Sequence, residues 1–276
     1  MEYKRILTIQ DISCVGQCSL TVALPVISAC GVEASVLPSA VLSTHTCGFS
    51  GYTFRDLTED MPAICDHWEK EGLTFDAVYT GYLGSAKQIA YVKDIIRRTG
   101  GKDCLAIIDP AMADGGKLYP GFDAAFVQQM KTLCAGADYL LPNITEACFL
   151  TDTEFKTEYD RAYIDELIAK LTALGAKTVV LTGVSYQQGK TGVVVYENGT
   201  YQYYEHTQIA GGVHGTGDIY ASCFVGAKMR GKTAYEAASI AAQYTLACIR
   251  ATAKEEGHWY GAVFEPVLGN LIDLLK

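Results

Sequence analysis

Arg5-Ile6-Leu7-Thr8-Ile9-Gln10-Asp11 opens the part of the chain whose reading decides the fold. The apolar run at residues 5–9 ends on two polar residues. A segment with helical spacing follows at 19–29, and a second β-branched run appears at 32–37. A strand, a helical crossover and another strand read as a βαβ unit, which pairs its strands in parallel. The same alternation continues outward. Strands are expected at 77–80, 105–108, 139–141 and 178–181, with helices at 86–98, 124–134 and 161–174 between them. Apolar runs joined by helices predict a sheet covered on both faces, that is, an α/β fold: a three-layer α/β/α sandwich with a mostly parallel central sheet. One interruption is visible. The runs at 192–196 and 201–205 flank Asn198-Gly199, a strong two-residue hairpin signal. Two helices (216–229 and 234–253) and an amphipathic tail at 268–275 complete the pattern. No linker, charge block or repeat divides the chain, so a single domain over residues 1–276 is expected.

Composition narrows the function. The chain has 276 residues, 49% of them hydrophobic and 19% charged. At this size folding buries roughly 73% of the unfolded surface, enough for a core without disulfides or metals. The net charge of −9 argues against nucleic acid or an anionic membrane as partner. The N-terminal apolar run is too short for a signal peptide, and no stretch is long enough to span a membrane. The ten cysteines are scattered singly, and the close pair Cys14 and Cys18 lacks a second ligand pair for zinc. Packing thiols in a reducing cytoplasm are the expectation.

In open α/β sheets ligands bind outside the carboxyl ends of the strands. Here those ends are polar: Gln10-Asp11, Gly81-Tyr82, Asp109-Pro110, Pro142-Asn143-Ile144-Thr145-Glu146 and Thr182-Gly183. The sharpest feature is Gly211-Gly212-Val213-His214-Gly215-Thr216-Gly217-Asp218, running into a helix. The glycines permit positive φ and close approach of a ligand, and a helix N-terminus with unpaired N–H groups is an anion site. Asp218 inside such a site reads either as a base for an attacking hydroxyl or as a helix cap. The helix dipole is expected to keep it ionised and therefore weakly basic. Two other patterns fail on context. Gly183 to Thr191 has five residues where a Walker A loop has four, and it leads into a strand. The glycines from 211 onward do not follow the first strand, as a Rossmann fingerprint would.

Gly215-Thr216-Gly217-Asp218 resembles the G-T/A-G-D signature of the ribokinase superfamily. Asp109-Pro110 and, about thirty residues on, Pro142-Asn143-Ile144-Thr145-Glu146 are similar to its D-P and P-N-x-x-E patterns, in the expected order. Leu7-Thr8-Ile9-Gln10, Ser43-Thr44-His45-Thr46, Thr80-Gly81-Tyr82 and Asp109-Pro110-Ala111-Met112-Ala113-Asp114 resemble the pyridoxal (vitamin B6) kinases in particular. The correspondence runs from about residue 4 to 230. It implies a ribokinase-like fold and ATP-dependent phosphorylation of the 5′-hydroxyl of pyridoxal, pyridoxamine or pyridoxine. By that resemblance Asp218 is the base, and the backbone of Gly215, Thr216 and Gly217 is the anion hole. Asp11, Ser13, His45, Thr46 and Tyr82 face the substrate ring. Asp109, Asp114, Asn143, Glu146 and Thr182 lie on the nucleotide side, with Glu146 and Asp109 holding Mg²⁺ through water. A monovalent cation such as K⁺ and a homodimer are further implications. Adenine contacts are expected after residue 220, and residues 46–55 are the candidate lid.

Two departures stand out. Many pyridoxal kinases have Ser directly after the Gln that ends the first strand, at the ring nitrogen; here that position is Asp11, with Ser13 two residues on. A threonine common before P-N-x-x-E is Leu141. Asp11 suggests pairing with a protonated ring nitrogen, as acids do in pyridoxal-phosphate enzymes. A hydroxymethylpyrimidine kinase, or another small-molecule kinase of the superfamily, is the nearest alternative. A non-catalytic pyridoxal or nucleotide sensor is the alternative from another class.

Overall fold

Consecutive residues of the central strands enter opposite cores. Ile6 and Leu7, Ala77 and Val78, Ile107 and Ile108, and Val179 and Val180 each split between two buried clusters. Strand side chains alternate between faces, so continuous apolar runs can only belong to a sheet covered on both sides. The computed structural model describes residues 3–209 and 212–276. The Met1-Glu2 start and Gly211 lie outside the described residues.

Among those residues the strands are β1 (Arg5–Ser13), β2 (Glu33–Leu42), β3 (Phe54–Asp56), β4 (Phe75–Thr80), β5 (Gly100–Ile108), β6 (Ala113–Asp114), β7 (Lys117–Leu118), β8 (Tyr139–Leu140), β9 (Thr178–Val184), β10 (Lys190–Glu197) and β11 (Thr200–Thr207). The helices are α1 (Leu20–Ala29), α2 (Met61–Lys70), α3 (Ala86–Thr99), α4 (Ala124–Cys134), α5 (Ile144–Thr151), α6 (Arg161–Leu174), α7 (Thr216–Met229), α8 (Ala234–Thr252) and α9 (Leu268–Leu274). Nine strands form one sheet in the order β11-β10-β9-β8-β5-β4-β1-β2-β3. Its six central strands pair in parallel. Antiparallel pairs occur only toward the edges, at β2–β3, β9–β10 and β10–β11. Helices α2 to α6 contribute to the first core; α1, α7, α8 and α9 contribute to the second. This is the expected three-layer α/β/α sandwich with a mostly parallel sheet.

Asn198 and Gly199 both take positive φ, 50° and 80°, and Glu197 pairs with Thr200. That is the turn geometry which matches strand twist in a two-residue hairpin. The first strand is longer than expected: Gln10, Asp11 and Ser13 lie inside β1, and the β1–β2 register shifts between Gln10 and Ile12. The irregularity falls opposite Asp11, and bulges of this kind re-aim side chains beside functional sites. Thr182 and Gly183 likewise lie inside β9. The short elements β3, α2, α5 and the β6–β7 hairpin are additions to the sequence expectation. Among the described residues no helix is long and apolar enough to cross a membrane. All ten cysteines are free thiols.

Candidate active site

Helix α7 begins where the chain makes a left-handed turn at Gly215 (φ 81°, ψ 0°). A Cβ at that position would lie 1.8 Å from the Gln17 carbonyl oxygen, so both conformation and packing demand glycine there. Gly217 differs. Its φ is not positive, and a Cβ on it would meet no protein atom within 4 Å. Gly217 borders open space in the cleft; Gly215 makes the turn. The first helical bond of α7 runs from the Ile219 N–H to the Gly215 carbonyl. The N–H groups of the residues before Ile219, Thr216 and Gly217 among them, have no earlier carbonyl of the helix to pair with, and such N–H groups can receive an anion.

Two cavities meet at this turn. One, of about 460 Å³, is lined by Asp11, Ser13, His45, Thr46, Tyr82 and Asp218, together with Cys18, Ser19, Tyr119 and His214. The other, of about 340 Å³, is lined by Asp109, Asp114, Asn143, Glu146, Thr182, Thr216 and Gly217. The expected ring-side residues therefore share one cavity and the expected nucleotide-side residues the other, with Gly217 and Asp218 adjacent in the chain at the join. The far wall of the second cavity comes from Thr191, Gly192 and His206 of the β10–β11 hairpin and from Ala242, Thr245 and Leu246 of α8. Thr191 apart, those residues carry no motif; the α8 residues fall in the region after residue 220 where adenine contacts are expected. Gly183 and Thr191, at the ends of the false Walker pattern, also line this cavity, with a hairpin in place of a helix.

Asp218 is half-buried at the floor of the first cavity. Burial, with the nearby Asp11 carboxylate, lifts its pKa to about 7 against a hydrogen bond from the Ser19 backbone N–H. The sequence expectation of a weakly basic, fully ionised carboxylate is corrected: desolvation outweighs the helix dipole and leaves the Asp218 carboxyl titrating near neutrality. Asp11 is buried. Its Oδ1 accepts from Ser19 Oγ at 2.6 Å and its Oδ2 from Ser13 Oγ at 2.9 Å. Burial raises its pKa while the two hydroxyls oppose the rise. His45 is also buried. Its Nδ1 accepts from the Cys47 N–H at 3.1 Å, which fixes the proton on Nε2, 2.7 Å from the Tyr260 carbonyl. Both ring nitrogens are thus spent on protein, and only the carbon edge of the imidazole is left for a ligand. Tyr82 stacks toward Phe122 with ring centres 5.4 Å apart. Cys18 and Cys47 border the cavity, but burial pushes both thiols up, away from the reactive thiolate. The stretch 46–55 supplies Thr46, Tyr52 and Phe54 to the cavity wall.

On the nucleotide side, Asn143 and Glu146 form a capping box for α5. Asn143 Oδ1 accepts from the Glu146 N–H, Glu146 Oε2 accepts from the Asn143 N–H, and Glu146 Oε1 accepts from the Met112 N–H. Asn143 Nδ2 donates to the Ala113 carbonyl, tying down the β6–β7 hairpin and with it Asp114. The P-N-x-x-E motif is therefore structural as well as cleft-facing. Burial pushes Glu146 up to about 8, and burial plus the Glu146 charge raise Asp109 well above the usual carboxylate range. Because both Glu146 oxygens accept backbone N–H groups, a proton held by this pair belongs on Asp109. No three His, Cys, Asp or Glu side chains among the described residues group closely enough to hold a metal on their own.

The family profile described as phosphomethylpyrimidine kinase matches residues 23–264. A Bacteroides thetaiotaomicron protein that carries the phosphomethylpyrimidine kinase name has been solved in two crystal forms, one of them with pyridoxal. It is 37% identical and superposes with a TM-score of 0.94 over 98% of this chain and 94% of its own. Pyridoxal kinase from Lactobacillus plantarum is 29% identical, with a TM-score of 0.91 over 99% of this chain and 98% of its own. Pyridoxal kinase from Dictyostelium discoideum is 25% identical over 83% of this chain and 80% of its own length. The profile match runs from within α1 to beyond α8 and takes in the second cavity and the glycine turn, and the chain belongs to the phosphomethylpyrimidine kinase family.

Proposed function

We propose that this protein is an ATP-dependent kinase of B6 vitamers, transferring the γ-phosphoryl group to the 5′-hydroxyl of pyridoxal, pyridoxamine or pyridoxine and releasing ADP. The observation that carries this reading is the junction of two cavities at one helix N-terminus, with a carboxylate of pKa about 7 on the ring side of the join. Pyridoxal bound to the 37% identical Bacteroides protein and the pyridoxal kinase names of other relatives support the substrate class.

In this reading Asp218 accepts the hydroxyl proton as the oxygen bonds to the γ-phosphorus and the bond to the ADP oxygen breaks. The N–H groups of the Gly215-Thr216-Gly217 turn stabilise charge on the transferring group. Asp11, Ser13, Thr46 and Tyr82 hold the ring, with the His45 edge beside it, and Asp11 takes a protonated ring nitrogen. Asp109, Asp114, Asn143, Glu146 and Thr182 line the path of the phosphates. Two buried carboxylates whose pKa values are both raised, Asp109 in part by the Glu146 charge, suit a nearby cation, so Asp109 and Glu146 fit Mg²⁺ held through water. Bound there, Mg²⁺ supplies the positive charge that offsets the triphosphate. The reading also includes one catalytic domain over residues 1–276, a lid at 46–55, a homodimer, a monovalent cation and a cytoplasmic place of action.

The phosphomethylpyrimidine kinase profile favours a second reading, with hydroxymethylpyrimidine as the acceptor. A coupled ADP-release assay across the three vitamers and hydroxymethylpyrimidine separates the two. A B6 vitamer is expected to have the highest kcat/KM; a preference for hydroxymethylpyrimidine transfers the assignment to it. Asp218→Ala should lower kcat by about 10²–10⁴-fold while ATP still binds. Turnover retained in that variant rules out the assigned base, and a wild-type protein without turnover points to a sensor or carrier.

A further inference from the structure

At Ser19 the backbone and the side chain ask for different residues. Its φ of 54° and ψ of −132° fall where L-residues are disfavoured and glycine moves freely. It also directly precedes α1, the position at which a serine hydroxyl ordinarily caps the first-turn N–H groups. Here the hydroxyl makes no capping bond. It donates to Asp11 Oδ1 at 2.6 Å instead. The Ser19 backbone N–H, meanwhile, serves the Asp218 carboxylate. One buried residue thus reaches both carboxylates of the ring-side cavity, Asp11 through its side chain and Asp218 through its backbone.

A conformational demand is met better by glycine, and a capping demand does not turn the hydroxyl away from the helix. What glycine cannot supply is the bond to Asp11. Each Asp11 oxygen accepts from one serine hydroxyl, Ser19 or Ser13, and a carboxylate oxygen has two lone-pair sites. The Asp11 backbone N–H also reaches its own carboxylate, so one site is left, with the carboxylate plane fixed from two sides. Among its buried neighbours in the cavity, His45 has no such capacity left on its nitrogens.

We propose that Ser19 is a positioning residue for ring recognition, its hydroxyl locking the Asp11 carboxylate toward an N–H or O–H of the bound heteroaromatic ring. This deepens the vitamer-kinase reading and rests on it. The backbone N–H that seats Asp218 is a separate device in the same residue, so the two roles come apart by mutation.

Ser19→Gly removes the hydroxyl, keeps the N–H and relaxes the backbone. It should raise the vitamer KM about 5- to 10-fold, the scale of one ordinary hydrogen bond. The KM for ATP should be unchanged, the vitamer KM should rise by more than kcat falls, and Tm should be no lower than wild type. Ser19→Ala should give the same rise in vitamer KM with a lower Tm, since it keeps the unfavourable φ. In an Asp11→Ala background, Ser19→Gly should produce no further change in vitamer KM. A wild-type vitamer KM in Ser19→Gly, or an undiminished rise in the Asp11→Ala background, overturns the proposal. Absence of vitamer turnover in the wild-type protein would instead overturn the reading beneath it.

Discussion

Asp218 feels two opposing influences at the start of α7. The free N–H groups of the first turn favour its ionised form. Partial burial and the negative Asp11 disfavour that form, and they win, leaving the pKa at about 7. The outcome suits a base, since proton acceptance improves as pKa approaches the working pH. Only the deprotonated form can accept the proton, so kcat/KM should fall as pH drops below about 7. Asp11→Asn removes the like charge, so the limb due to Asp218 should move to lower pH. Profiles from pH 5 to 9 with the same vitamer for both proteins isolate this shift, because the vitamer's own titration is common to them. Superimposable limbs would show that Asp11 does not tune the base. A second residue-scale cost sits next door. The backbone of Ser19 stores about 1–3 kcal/mol of strain, offset by the bonds its hydroxyl and N–H make.

At the scale of elements, the capping box of α5 makes Glu146 answer to two demands. Its carboxylate faces the nucleotide cavity and also satisfies the buried N–H groups of Asn143 and Met112. Glu146→Gln retains one acceptor and turns an amide NH₂ toward one of those N–H groups; Glu146→Ala retains neither acceptor. Loss of a cap or of a buried acceptor costs about 1–3 kcal/mol. In the absence of ligand, thermal unfolding should therefore show Tm in the order wild type, Gln, Ala, with roughly 2–4 °C lost per kcal/mol. An unchanged ligand-free Tm would confine Glu146 to binding. The same helix shows where the sequence was silent. Ile144–Thr151 is only eight residues long and mostly buried, so it has no one-sided periodicity to betray it. Asn143 and Glu146 stand out in the sequence as site residues, and the same three-residue spacing serves the cap. In α2 the fully buried side chains are Met61 and Cys65, too few to stand out beside the aromatic stretch before it. By contrast, the central strands, α3, α4, α6, α7 and the Asn198-Gly199 hairpin were legible to within a few residues, because apolar runs, helical spacing and turn chemistry agree there. The glycine turn and the strand ends were legible as a site for the same reason. Ser19 and Tyr119, recruited only by tertiary packing, were not, and the α8 wall was legible only as a region after residue 220.

For the whole molecule the question is how a chain of net charge −9 accommodates a polyanionic co-substrate. The nucleotide cavity worsens the problem locally, for Asp109, Asp114 and Glu146 line it and Asp218 stands at its end. Among the described residues no Lys or Arg lines it. The positive field available from the protein is that of the α7 N-terminus, worth about half a unit charge. Even with a proton held by the Asp109–Glu146 pair, the remaining carboxylates outweigh half a positive charge, so free ATP⁴⁻ should bind poorly and a divalent cation should make up the difference. Binding to the folded state alone raises stability by about 2.7 kcal/mol at a ligand concentration of 100 Kd. For a chain of this size that is a rise in Tm of roughly 5–10 °C. MgATP should produce such a rise, and ATP with EDTA at the same concentration should produce less than half of it. Glu146→Gln should narrow the gap between the two, since it removes one of the charges the cation offsets. Equal shifts with and without Mg²⁺ would mean that backbone N–H groups hold the triphosphate unaided, and that Asp109 and Glu146, protonated between them, present little net charge to it.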